Sequence, residues 1–224
     1  MDKKIIYTNT DTGFLKIVAF LTMTIDHIGY LFFPSDYLWR VVGRIAFPLF
    51  AYCFVLGFNY TKNIKKYFIR LLGFSLISQI PYYLCCYPND TLQNFHLNIG
   101  FTMILGLIAC YGVKEKNYLY TVIALILSFL HQIEYGLYGI CLILLMYLFI
   151  FERKLKFSLV MGTYFILSVP LLFFLEVSVL QFFAILSLPF ILINTKSKIK
   201  IPRLINYGFY PLHLIVLLLI DGLR

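Results

Sequence analysis

The stretch LKIVAFLTMTIDHIGYLFFP (residues 15–34) sets an aspartate and a histidine, Asp26 and His27, inside an otherwise apolar run. The run spans about 14–34, long enough to cross a bilayer as a helix. An ionisable side chain within a membrane span costs about 2.5–3.5 kcal/mol on insertion scales, so each needs a task or a partner. The next stretch, LWRVVGRIAFPLFAY (38–52), brings Arg40 and Arg44 at the head of a second apolar run. Four ionisable groups therefore crowd one membrane level between positions 26 and 44. Such clustering points to a membrane enzyme or transporter rather than an inert anchor.

Composition agrees with a membrane-embedded chain. Hydrophobic residues make up 61% of the 224 and charged residues 13%, against about a quarter in soluble domains. The apolar runs are long and helical, not the alternating ten-residue segments of an outer-membrane barrel. The polar start (1–13) reads as a short cytoplasmic tail, and the run after it, lacking an A-x-A cleavage site, as a retained span. The predicted fold is an all-α polytopic transmembrane helical bundle forming a single domain over 1–224. Cys53, Cys85, Cys86, Cys110 and Cys141 have no metal-ligand spacing, and vicinal Cys85–Cys86 suit a disulfide poorly, so they read as small core hydrophobes and no metal is expected.

About nine spans are expected, near 14–34, 39–60, 67–87, 97–113, 117–133, 136–151, 157–175, 178–194 and 204–221. If they alternate, 16 of the 19 Lys and Arg residues fall on one side. The exceptions are Arg40, Arg44 and Arg224. The positive-inside rule then places the N-terminus in the cytoplasm and the C-terminus outside, in a multi-pass inner-membrane protein. The net charge of +9 is thereby a topology signal, and nucleic acid is excluded as a partner. The opposite loops hold Asp36, Asp90, His96, His131, Glu134 and Glu176. No internal repeat supports an inverted-repeat transporter.

At about 1.5 Å per residue, His27 lies some 20 Å past Phe14, about two-thirds of the way across. Arg40 and Arg44, four apart, share a helix face near the same depth. Adjacent helix positions point about 100° apart, so Asp26 is expected to pair with an arginine rather than with His27. The last span adds Asn206, Tyr210 and His213 on one face, and the third offers Ser75, Ser78, Gln79 and Tyr82 beside Pro81. Polar stripes of this kind serve either as glue between helices or as a site.

These same stretches, together with GFNYTKNIKKYFIRLLGFSLISQIPY (57–82), NIGFTMILGL (98–107), YGLYG (135–139) and YGFYPLHLIVL (207–217), resemble the TraX family. D-H-I-G followed by G-R-x-A-F-P is the specific part. The family's founding member acetylates the N-terminus of F-pilin in conjugation, and the family looks related to larger membrane acyltransferases that modify sugars at the outer face. The resemblance implies an acetyltransferase moving an acetyl group from cytoplasmic acetyl-CoA to an amine or hydroxyl at the outer face, on a pilin-like protein or a surface glycan. His27 with Asp26 would be catalytic, and Arg40 and Arg44 would hold the donor. The arginine spacing here, R-x-x-x-R, departs from the R-x-x-R of the sugar enzymes.

In that mechanism neutral His27 takes the proton of the attacking amine or hydroxyl, and Arg44 or Tyr210 steadies the oxyanion. His213, Tyr210, Gln79 and Asn206 stand as substrate-binding or supporting residues. Two rivals remain at this point: a proton-coupled transporter using Asp26 and His27, and a non-catalytic assembly protein whose ion pair locks the fold.

Overall fold

The computed structural model describes residues 5–88, 96–130, 132–174 and 179–223. Asp90, His131 and Glu176, expected in the outer loops, lie outside them. The regular secondary structure of the described residues is helical, apart from an isolated bridge between Leu97 and Ile133. In order the helices are α1 (Thr12–Phe32), α2 (Tyr37–Gly43), α3 (Ala46–Tyr60), α4 (Ile64–Cys86), α5 (Ile99–Lys114), α6 (Tyr118–Leu130), α7 (Gly136–Phe149) and α8 (Lys154–Phe174). A 3-10 helix (Val179–Ser187), α9 (Leu188–Leu192) and α10 (Arg203–Asp221) follow. Four segments among the described residues are long and apolar enough to cross a membrane: Thr12–Phe32, Tyr37–Tyr60, Ile64–Cys86 and Arg203–Asp221. Their outward faces carry large apolar side chains such as Ile77, Ile80, Val216 and Leu219, as lipid-facing helices require.

Two expected spans depart from one continuous α-helix. The second breaks at Arg44–Ile45. Pro48 lacks an N–H and its ring excludes the carbonyl four residues back, which is that of Arg44. The chain answers with a tight turn, in which Ile45 N donates to Val42 O at 3.2 Å. The eighth opens as the nine-residue 3-10 helix, longer than such helices usually run.

The chain packs as two compact units. The first comprises residues 1–56 and 145–201, the second 57–144 and 202–224. In the first unit α1 and α2 form a hairpin. Asp36 caps α2 by accepting from Leu38 N at 3.0 Å and from Trp39 Nε1 at 3.1 Å. Trp39 in turn stacks on Phe33 with ring centroids 4.9 Å apart. Gly29 makes this close approach feasible, since a Cβ there would fall 2.1 Å from Trp39 Cβ.

At the start of α1, Asp11 accepts from Phe14 N and ties down the segment after α9 through Ser197 N at 2.6 Å and Thr195 Oγ1 at 3.2 Å. Burial pushes the Asp11 carboxyl up, but the bonds from Ser197, Phe14 and Thr195 outweigh it and hold the group below its ordinary value.

In the second unit α5 and α6 pack through Leu105, Ala109 and Ala124, with Ile140 of α7 completing the cluster. α4 and α10 meet through Phe74, which lies against Tyr207 and Tyr210.

Candidate functional site

The first unit gathers Asp26, Arg40 and Arg44 into one buried array. Asp26 Oδ2 accepts from Arg40 Nη1 at 3.0 Å, and both Asp26 oxygens accept from Arg44 Nη2 at 3.0 Å. The expected pairing of Asp26 with an arginine therefore involves both. Arg44 also donates through Nε to Arg40 O at 3.2 Å, a carbonyl that accepts from the Arg44 backbone N–H as well. Its third direction, through Nη1, reaches Gln181 Oε1 of the 3-10 helix at 3.2 Å. Arg40 is the more open of the two, with 28% of its side chain exposed against 11% for Arg44, and its guanidinium lies 5.2 Å from the Tyr30 ring centre.

Gly43 makes room for the array. A Cβ at that position would sit 2.0 Å from Asp26 Oδ1, 2.2 Å from Cγ and 2.3 Å from Cβ. The carboxylate thus lies directly against the α2 backbone, one residue before the arginine it binds.

His27 follows Asp26 on α1, is buried, and lies within electrostatic reach of both guanidiniums. Its Nδ1 is 3.0 Å from Met23 O, one turn back. A carbonyl only accepts, so Nδ1 carries the proton, and in the neutral ring Nε2 carries the lone pair. The backbone of α1, not Asp26, fixes the tautomer.

Gln181 is the member that sequence reading missed. It is 1% exposed and 137 residues away from Arg44 along the chain. A polar residue in an apolar run, VLQFFAILS, was the available signal.

The remaining candidates belong to the second unit. Gln79 donates through Nε2 to His96 O at 2.6 Å and accepts from Asn98 N at 3.1 Å and Asn98 Nδ2 at 2.8 Å. Asn98, which sequence reading did not single out, also donates to Ser75 O at 2.7 Å and caps α5 by accepting from Gly100 N at 2.9 Å. Gln79 is thereby engaged in joining α4 to the start of α5. His213 repeats the device of His27, with Nδ1 3.0 Å from Phe209 O, and packs against Phe209 and Tyr210. Asn206 is half-buried in the first turn of α10. Among the described residues, no three His, Cys, Asp or Glu side chains are grouped to hold a metal.

An all-helical chain with membrane-length apolar helices and a buried carboxylate clamped by two arginines is an integral membrane protein built around a charged cluster. Its family follows from sequence comparison. The model of the family described as TraX protein matches residues 11–221, and the chain belongs to the TraX family.

Among curated relatives, it is 36% identical over 107 residues to the "Probable fimbrial assembly protein FimC, serogroup H1" of Dichelobacter nodosus, covering 42% of this chain and 43% of that protein. It is 30% identical over 178 residues to "Uncharacterized protein RP591" of Rickettsia prowazekii, covering 70% and 66%. To "Protein TraX" of Escherichia coli it is 37% identical over 75 residues, covering 33% and 30%. The chain thus matches at most 66% of the length of these relatives. No solved structure matches.

Proposed function

We propose that this protein is an inner-membrane acyltransferase that moves an acetyl group from cytoplasmic acetyl-CoA to an amine or hydroxyl at the outer face. The observation that carries the proposal is the His27 tautomer, which leaves the ring's lone pair on Nε2 in a buried imidazole within electrostatic reach of two guanidiniums that share one carboxylate. That cluster holds one more positive than negative charge, an arrangement suited to negative charge developing on a carbonyl oxygen.

The acceptor nitrogen or oxygen attacks the thioester carbonyl, and His27 Nε2 takes the acceptor's proton. Collapse of the tetrahedral intermediate breaks the C–S bond, and the imidazolium returns the proton to the departing thiolate. Asp26 acts as a positioning residue, because its oxygens are engaged by Arg40 and Arg44. Arg44 steadies the oxyanion, and the more open Arg40 faces the donor.

Nine spans, a cytoplasmic N-terminus and an outer C-terminus complete the proposal. In that arrangement basic loops meet the phosphates of CoA while the acceptor arrives from outside. Relatives named for TraX and for fimbrial assembly support a pilus-related acceptor, with a surface glycan as the alternative.

A second reading, a non-catalytic assembly protein, draws on the same ion pairs, which would lock α1 to α2 whatever the function, and on the relative named for assembly. A proton-coupled transporter fits less well, since Asp26 would break two ion pairs at every turnover.

His27→Gln separates these readings. In vesicles supplied with labelled acetyl-CoA and a pilin N-terminal peptide or surface glycan, wild type should transfer label. His27→Gln should lose at least about a hundredfold in rate, in keeping with the removal of a general base, at unchanged expression. Undiminished transfer by His27→Gln would remove His27 from the chemistry.

A further inference from the structure

The 3-10 helix carries more than a partner for Arg44. With three residues per turn, side chains three apart eclipse one another. Gln181, Ala184 and Ser187 therefore form a single row, and they are 1%, 0% and 0% exposed. Two atoms in this row, Gln181 Nε2 and Ser187 Oγ, have no hydrogen-bond partner among the described residues.

The orientation of the Gln181 amide is not arbitrary. Arg44 can only donate, so Oε1 must face it and Nε2 must point elsewhere. A sealed, unpaired donor is costly to maintain, and a pair of them flanking an alanine on one face calls for an occupant that supplies acceptors. One end of the row reaches Arg44. The other leads through α9 to the exposed lysines Lys196, Lys198 and Lys200 of the same unit.

We propose that the Gln181–Ala184–Ser187 face seats the extended, amide-bearing arm of the thioester donor. Gln181 Nε2 donates to the acyl carbonyl, and Ser187 donates to an amide carbonyl further along the arm. The row covers about 12 Å at 2.0 Å per residue, a length suited to a linear chain rather than a compact ligand. Ala184, lacking bulk, lets the chain lie flat between the two polar groups. The lysines beyond it take the phosphates at the far end of such a donor. This face is closed against its neighbours, so donor entry parts the 3-10 helix from α2 and α8, the elements packed on it. This inference rests on the acyl-transfer proposal above.

The test uses full-length protein in nanodiscs, with acetyl-CoA as the donor and CoA alone as the binding probe. Gln181→Glu keeps an acceptor for Arg44 but deletes the Nε2 donor, so the contact to Arg44 survives while the acyl contact is lost. Its kcat should fall at least about tenfold. Ser187→Ala removes a hydroxyl that has no hydrogen-bond partner among the described residues. Thermal stability should hold or rise, while KM for acetyl-CoA increases about three- to tenfold, as for one lost hydrogen bond. If wild type transfers acetyl and both variants match it in kcat and KM, the donor arm lies elsewhere and the His27 proposal stands. If wild type neither transfers acetyl nor gains thermal stability with CoA, both proposals are overturned.

Discussion

Gly43→Ala probes the geometry on which the buried array depends. The added Cβ would meet Asp26 at 2.0 Å from Oδ1, 2.2 Å from Cγ and 2.3 Å from Cβ. Rotating χ1 would relieve a clash with the carboxylate tip alone. Contact with Cβ cannot, because that atom is fixed to the α1 backbone. Restoring ordinary carbon contact distances, near 3.5 Å, requires α1 and α2 to separate locally by more than about 1 Å. Both arginine contacts to Asp26, now 3.0 Å, then pass beyond hydrogen-bonding range.

Overpacking of this kind costs about 1–3 kcal/mol, and breaking a buried ion pair costs about 3–5 kcal/mol. Helix propensity returns at most about 1 kcal/mol for Gly to Ala. The expected net loss is about 3–7 kcal/mol, measured by reversible unfolding in mixed micelles. Gly73→Ala is the matched control, since no atom lies within 4 Å of its added Cβ and propensity alone should leave it neutral or slightly stabilised. Gly43→Ala unfolding within about 0.5 kcal/mol of Gly73→Ala, the usual spread of inconsequential substitutions, would refute the close packing of Asp26 on α2.

Asp26→Asn preserves shape but leaves two guanidiniums without their carboxylate, and should cost about 3–5 kcal/mol. In a double-mutant cycle with Arg44→Met, the pair should couple by at least about 1 kcal/mol, and additive losses would show that the ion pair contributes no stability. Asn98→Ala removes the cap of α5 together with the bonds to Gln79 and Ser75, and should cost about 1–3 kcal/mol. Asn98→Asp, which keeps the cap acceptor but sets a buried carboxylate oxygen against the acceptors Ser75 O and Gln79 Oε1, should lose at least as much as Asn98→Ala; a smaller loss would refute the Nδ2 contacts.

How much of this was legible in the sequence depended on the range of the interaction. Asp26 meeting Arg40 and Arg44 followed from helix length and antiparallel neighbours, because a short turn brings residues 26 and 40 to the same depth. The departure of Asp26 from His27 followed from the 100° step of the helix. Gln181 did not follow. Its contact with Arg44 spans 137 positions, and nothing local says which face of a late, apolar segment turns toward α2. The 3-10 character of that segment was also hidden, since an apolar run fits an α-helix as readily. Gln79 was singled out by its polarity, whereas its partner Asn98 was not, because an asparagine before a helix looks like an ordinary cap until its second set of bonds is seen.

The motif D-H-I-G with G-R-x-A-F-P acquires a physical reading when its letters are taken together. Gly29 admits Trp39, and Gly43 admits Asp26, so both glycines draw α2 onto α1. Pro48 breaks the helix just after Arg44, where the side chain of that residue reaches a carbonyl, a carboxylate and an amide at once. Asp26 is engaged by this arrangement, and under the acyl-transfer proposal His27, its tautomer fixed by Met23, would be the motif's proton acceptor. A mere clamp between α1 and α2 would need the aspartate and one arginine. It would have no use for a second arginine that remains partly open, nor for a histidine held in a defined tautomer beside it, and those two surplus groups are what favour chemistry over scaffolding.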